Sequence, residues 1–164
     1  MNVDTLFSLK GKVALLTGGA GGYGLQCVRA LAESGAKTFI ASRNLEALQK
    51  VADGFNSRGY DVTALQYDPG DERSILNLRD EVVRQASRVD VLVNNAVART
   101  MKKGWEDSAE AFDQSMHINA TGLFVITRAI GELMIPQKSG SIINIGSMMG
   151  MVGVDDRKRT RLNS

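Results

Sequence analysis

Residues 17–24 read T-G-G-A-G-G-Y-G, and their glycines are the first chemistry the chain offers. They follow the apolar run 13–16 and lead into 25–33, where apolar residues recur at helical spacing. A buried strand passing through glycines into a helix gathers backbone N–H groups and the positive end of a helix dipole at one point, which is a site for phosphate. Side chains at Gly18, Gly22 or Gly24 would obstruct either the tight turn or the close approach of a pyrophosphate. Tyr23, set among them, is a candidate contact of the same ligand. The spacing T-G-x-x-x-G-x-G differs from the G-x-G-x-x-G of ordinary dinucleotide folds. It also lacks the Gly-Lys-Ser/Thr ending of a P-loop, which argues against an ATPase.

Three later positions bear on the same ligand. A site for NAD places an acidic residue about 20 positions beyond the glycines, where it accepts from the ribose 2′-hydroxyl. This chain has Ser42 and then Arg43 there. Serine leaves room for a 2′-phosphate and an arginine fork can grip it, so NADP is the expected cofactor and NAD the alternative. Asp68 either accepts from the adenine amine or caps the turn through Pro69 and Gly70. Asn94-Asn95-Ala96 closes a strand; Asn94 either bonds neighbouring strand ends or contacts ligand, and small Ala96 suits a backbone passing close to a ribose.

The elements that must position these residues alternate. Strands are expected at 13–17, 38–42, 62–67, 89–93 and 141–145, and helices at 22–34, 45–58 and 71–86, from near 108, and over 116–135. Asn44 fits an N-cap, and Leu45, Leu48, Val51, Ala52 and Phe55 keep one face of the helix that follows, as Ile75, Leu78, Val82 and Val83 do in the next. Alternation of this kind requires crossover connections and hence a parallel sheet with helices on both faces, an α/β doubly wound, Rossmann-like single domain. Ligands in such sheets gather at the carboxyl ends of strands, where all of these candidates lie.

Composition sets the remaining bounds. The 164 residues are 43% hydrophobic and 23% charged, ordinary for a globular domain. No uninterrupted apolar run approaches the roughly 18–20 residues of a membrane span, and the start lacks a secretion signal. A cytoplasmic location is expected. The pI of 8.8 belongs to the tail. Without residues 156–164 the balance is 16 basic to 17 acidic residues, so the body is no nucleic-acid-binding surface. Cys27 is the single cysteine and reads as a small buried apolar residue. His117 is the single histidine and reads as structural; no Ser-His-Asp triad and no metal site is expected.

Together, T-G-x-x-x-G-x-G at 17–24, N-N-A at 94–96, Asn119 in I-N-A-T-G and the strand I-I-N-I-G-S ending at Ser147 resemble the short-chain dehydrogenase/reductase family. The resemblance covers about residues 9–154, and the surrounding sequence is similar to the sugar-acid branch, such as gluconate 5-dehydrogenases. It implies that Gly18, Gly22 and Gly24 build the cofactor loop and that Asn95 and Ala96 lie along the cofactor. It further implies that Ser147 hydrogen-bonds the reacting carbonyl or hydroxyl, and that Asn119 holds a water in a proton relay. The implied activity is hydride transfer between a nicotinamide and a small-molecule carbonyl or secondary alcohol, in a homodimer or homotetramer. A non-enzymatic NAD(P)-binding or interaction module is the alternative. Met148, Met149 and Met151, after Ser147, read as loop or core packing.

Two departures stand out. Val97 replaces the glycine that completes N-N-A-G in the family. The family's Tyr-x-x-x-Lys pair, in which lysine favours the phenolate of a proton-exchanging tyrosine, is not found. The tyrosines are at 23, 60 and 67, and four positions on stand Cys27, Ala64 and Asp71. Residues 1–155 read as the dinucleotide-binding part of such a dehydrogenase, incomplete at its C-terminus and without turnover, with an exposed sheet edge. Residues 156–164, D-R-K-R-T-R-L-N-S, have no alternation and no apolar face, resemble a translated sequencing adapter save at Arg159, and read as a non-native or disordered tail.

Overall fold

The computed structural model describes residues 3–147. Met148, Met149, Met151 and the basic tail at 156–164 lie outside the described residues. In chain order the elements are α1 (Val3–Leu6), β1 (Val13–Thr17), α2 (Gly22–Glu33), β2 (Lys37–Ser42), α3 (Leu45–Asn56), β3 (Val62–Gln66), α4 (Glu72–Ala86), β4 (Val91–Asn94), α5 (Ala109–Met116), α6 (Gly122–Gln137) and β5 (Ser141–Asn144). A short 3₁₀ turn spans Gly104–Glu106, and a π turn, His117–Thr121, joins α5 to α6 into one continuous helix.

The strands form one parallel sheet in the order β3-β2-β1-β4-β5. The chain winds outward from β1 to β3, returns to β1's other side, and winds outward again. The expected doubly wound α/β architecture is the observed one. β1 therefore sits between β2 and β4, and the winding direction reverses at the carboxyl ends of β1 and β4. Open α/β sheets hold ligands at such a point.

Side chains alternate between the two faces of the sheet, and each face has its own core. Val13 and Leu15 of β1 pack with Phe39, Ile75, Leu78, Leu92, Ile126 and Ile130, beneath α4 and α6. Ala14 and Leu16 pack with Val28, Ile40, Leu48, Ala52 and Phe55, beneath α2 and α3. All five β1 residues are buried, as an uninterrupted apolar run at the centre of a parallel sheet requires. Asn44 caps α3 as expected, its side chain accepting from Ala47 N at 3.0 Å. Leu45 departs from the expected inward face: it occupies the first position of α3 and points to solvent. Val51, Val83 and Cys27 are half-buried rather than buried, Val51 and Cys27 packing against the α2–α3 core.

At the amino ends of the strands, Asp90 is 4% exposed and accepts from Val13 N at 2.9 Å, Arg88 Nε at 2.9 Å and Lys12 Nζ at 3.3 Å. Burial opposes its ionisation, and these three donors outweigh burial and hold the carboxyl below its ordinary range. The clamp locks β1 to β4 at the edge remote from the ligand end.

β5 is the outer strand, and all four of its residues are exposed, Ile142 and Ile143 included. The helix from Ala109 to Gln137 is 29 residues long and reaches a mean hydropathy of 1.4, long and apolar enough by those measures to cross a membrane. The uninterrupted-run criterion missed it because its polar residues are interspersed. Its buried face (Val125, Ile126, Ala129, Ile130 and Met134) is spent on the sheet and α4, which accounts for that hydropathy within a globular core.

Candidate functional site

Two adjoining cavities open at the carboxyl ends of the strands. The larger, about 510 Å³, is walled by Thr17, Tyr23, Asn95, Arg99, Asn119 and Ser147 among others. The smaller, about 140 Å³, is walled by Gly18, Ser42, Arg43 and Ala98. Tyr67, Pro69, Ala96 and Val97 line both. The cleft thus joins residues from the ends of β1, β2, β3, β4 and β5. Of the candidates read from sequence, Tyr23, Asn95, Ala96, Asn119 and Ser147 meet in the larger cavity, and Gly18, Ser42, Arg43 and Ala96 in the smaller. Gly22, Gly24 and Asp68 line neither.

The junction of β1 and β4 is tied by hydrogen bonds that sequence spacing does not reveal. Thr17 Oγ1 accepts from Asn95 N at 3.2 Å and Ala96 N at 3.1 Å. Asn95 Nδ2 donates to Thr17 O at 3.1 Å and Gly18 O at 2.9 Å. Asn95 therefore acts first as a clasp on the glycine loop. Gly18 has φ +79°, and a Cβ there would come within 3.0 Å of Ala96 Cα. A Cβ on Gly24 would lie 2.0 Å from Gly18 O, so Gly24 lets α2 sit directly on the turn. Gly22 has φ +53°, and a Cβ there would have nothing within 4 Å. The first N–H groups of α2 have no intrahelical partners, as at any helix start, and Gly21 provides no side-chain cap to cover them.

Asn94 fills the strand-end role left open by the sequence. Its Nδ2 donates to Asn144 Oδ1 at 2.9 Å and Thr127 Oγ1 at 3.1 Å, joining β4 to β5 and α6. Its Oδ1 is a buried acceptor with no partner among the described residues. Asp68 Oδ1 accepts from Gly70 N at 2.9 Å and so caps the turn through Pro69 and Gly70. That turn is packed onto the π turn: His117 Nε2 lies 3.0 Å from Gly70 O, and a Cβ on Gly122 would meet Pro69 O at 2.1 Å. His117 thereby ties the π turn to the turn after β3.

Asn119 sits within the π turn, which carries one extra residue per turn and so shifts the facing of its side chains relative to a regular helix. Its Oδ1 accepts from Ala98 N and its Nδ2 donates to Ala98 O, both at 2.8 Å, with a further bond to Ser115 Oγ at 3.2 Å. The amide thereby holds the loop after β4 in place.

Charge is sparse in the cleft. Among the described residues, Arg43 and Arg99 are the only charged ones lining the two cavities, and neither makes a hydrogen bond or ion pair with the others. Tyr67 is buried to 2% exposure, and burial, followed by the charge of Asp68, pushes its hydroxyl well above the ordinary tyrosine range. A phenol held neutral in this way is unsuited to exchanging protons near neutral pH. The sequence does not single out Tyr67, Pro69, Arg99 and Asn144 as lining residues. The pairing of Asn94 with Asn144 had a signal, an asparagine late in each of two apolar strands; the others had none that was local.

The cleft fits a dinucleotide on its own geometry. Its loop admits no side chain at Gly18 or Gly24 without displacing backbone, a free helix start faces the loop, and an unpaired guanidinium stands at the end of β2. Residues 12–158 match the family model described as short chain dehydrogenase. The chain is 38% identical over 139 residues to an uncharacterized oxidoreductase of Thermotoga maritima, covering 85% of this chain and 54% of that protein. It superposes on an NAD⁺-bound xylitol dehydrogenase with TM-score 0.83 at 32% identity, covering 89% of this chain and 56% of the other. A gluconate 5-dehydrogenase from Burkholderia cenocepacia J2315, in complex with NADP and tartrate, gives TM-score 0.84 at 29% identity, with 93% and 60% covered. The chain thus spans little more than half the length of these relatives.

Proposed function

The chain belongs to the short-chain dehydrogenase family, and from that premise we propose that it is the cofactor-binding part of an NADP-preferring oxidoreductase. The observation that carries this reading is the cleft at the β1–β4 reversal, with its glycine turn clasped by Asn95 and its unpaired Arg43. Gly18, Gly22, Tyr23 and Gly24 would hold the diphosphate, Ser42 and Arg43 the 2′-phosphate, and Asn95 and Ala96 the adjoining ribose. Asp68 would fix the wall beside the adenine through its turn. Among the described residues no carboxylate lines either cavity, which suits a 2′-phosphate beside Arg43.

The bound nicotinamide supplies or accepts a hydride at the carbonyl or carbinol carbon of a small hydroxylated substrate, a neutral polyol or a sugar acid. Ser147 donates a hydrogen bond to the substrate oxygen. Asn119 secures the β4 loop that forms the opposite wall and, through its place in the π turn, orders the water of a proton relay. The 164 residues contain no Tyr-x-x-x-Lys pair, and Tyr67 is no substitute, so this polypeptide binds cofactor without turnover. That same gap favours the second reading, a non-enzymatic NAD(P)-binding module. The cytoplasm is the proposed location. Homodimers or homotetramers would use the α5–α6 helix, whose Phe112, Phe124 and Ile135 are exposed.

Fluorescence titration of the folded chain with NADPH and NADH tests the reading. Saturable binding, tighter for NADPH, is the expected result. A native chain that saturates with neither overturns it. Joining residues 1–147 to the C-terminal half of a related dehydrogenase then separates enzyme from module, since turnover of NADPH with keto acids or ketoses supports only the enzyme.

A further inference from the structure

Two unpaired arginines stand in the cleft, and the dinucleotide reading employs only Arg43. Arg99 lines the larger cavity, whose walls also include Asn119 and Ser147. Its neighbours in sequence are both fastened. Ala98 is bound through N–H and C=O by Asn119, and Thr100 Oγ1 donates to Ala111 O at 2.8 Å. The backbone at Arg99 is thus held from both sides while its guanidinium has no partner among the described residues. The cavity around it includes Ile118, Leu123, Ile126 and Ile145 and, among the described residues, no acidic side chain. An uncompensated cation beside low-dielectric walls attracts an anion more strongly than the same cation on an open surface. Of the features suited to the cofactor's phosphates, Gly18 and Arg43 line the smaller cavity, whereas Tyr23 in the first turn of α2 lines the larger one with Arg99. Arg99 shares that cavity with Ser147, so an anion that binds beside Ser147 falls within the walls that Arg99 lines.

We propose that Arg99 is a specificity-determining residue that binds a carboxylate of the substrate, so that the substrate class is a hydroxy or keto acid and not a neutral polyol. The proposal rests on the dinucleotide reading, which puts substrate in the larger cavity. A guanidinium and a carboxylate can pair through two parallel N–H···O bonds, which orients the acid's carbon chain as well as retaining it.

The test is calorimetric titration of the NADP⁺-saturated chain with two matched pairs, D-gluconate against D-glucitol and tartrate against threitol. Within each pair the carboxylate is the principal difference. At least one acid is expected to bind at least tenfold tighter than its polyol. Arg99→Gln is expected to abolish that preference and Arg99→Lys to restore part of it, with NADP⁺ affinity unchanged in both and circular dichroism confirming the fold. Equal binding of acids and polyols, no binding of either acid, or a preference that survives Arg99→Gln overturns the proposal. So does an Arg99→Gln variant that weakens NADP⁺ and leaves the acid preference intact, since the arginine would then serve the cofactor. If the native chain fails to bind NADP⁺ at all, the dinucleotide reading itself falls; if NADP⁺ saturates and the acids show no preference, only the role of Arg99 falls.

Discussion

Alanine substitutions at four glycines of the 17–24 loop separate turn geometry, packing and ligand approach. At Gly24 the added Cβ lies 2.0 Å from Gly18 O and 2.8 Å from Asn95 Nδ2. Because the first of these is backbone, the loop or α2 must move, at the upper end of overpacking costs, about 3 kcal/mol. At Gly18 the Cβ meets Ala96 Cα and Asn95 Nδ2 at 3.0 Å with φ at +79°, which combines left-handed strain with a milder clash, about 2 kcal/mol. Gly22 has open space and φ +53°, so strain alone applies, about 1 kcal/mol. Gly21 has φ −166° and open space, so Gly21→Ala stays within about 0.5 kcal/mol of the parent. In a chain of this size each kcal/mol moves the melting temperature by about 2–4 °C. Thermal melts should therefore rank Gly24→Ala below Gly18→Ala, then Gly22→Ala, then Gly21→Ala. NADPH titration adds a second axis: Gly22→Ala should lose more affinity than its small stability cost explains, because a diphosphate approaches that backbone. A Gly24→Ala variant as stable as the parent would refute the packing argument. Full NADPH affinity in Gly22→Ala would refute the assignment of the diphosphate to this turn.

Three further outcomes follow from the geometry. Arg43→Gln should weaken NADPH about tenfold and leave NADH unchanged, read by fluorescence titration, since only the 2′-phosphate needs the guanidinium. Asn119→Ala removes both bonds to Ala98 and the bond to Ser115; it should cost about 2 kcal/mol in denaturant unfolding and speed amide exchange at Ala98. The depressed carboxyl of Asp90 contributes stability that is present at neutral pH and is lost as pH falls through the ordinary carboxylate range toward its lowered pKa. Asp90→Asn should accordingly be destabilised by about 2 kcal/mol at pH 7. Its unfolding free energy should fall less than the parent's between pH 7 and pH 3.

The sequence by itself determined the fold class and the end of the sheet at which the site lies. Apolar runs such as 13–16 and the stripe Leu48, Ala52, Phe55 record local periodicity, and local periodicity fixes whether a segment is strand or helix. The candidates at 17–24, 42–43, 94–96 and 147 were legible because each follows a strand directly. Boundaries slipped where periodicity gives no stop: the fourth strand runs over Val91–Asn94 rather than 89–93, and α5 and α6 join through a π turn that no local pattern announces. Exposure of Leu45 likewise depends on α3's first turn projecting beyond the sheet-facing stripe.

Only the tertiary structure decided which strand ends touch. Placing β1 between β2 and β4 lets Thr17 accept from Asn95, 78 positions away, and turns Asn95 into a clasp on the glycine loop. It also set the turn cap at Asp68 and the bond from Asn94 to Asn144, bound Asn119 to Ala98 across 21 positions, and left Arg99 without a partner among the described residues in the larger cavity. The physical reason is that secondary structure follows from neighbours three or four residues apart, whereas a hydrogen bond between distant side chains exists only after register and strand order have been set.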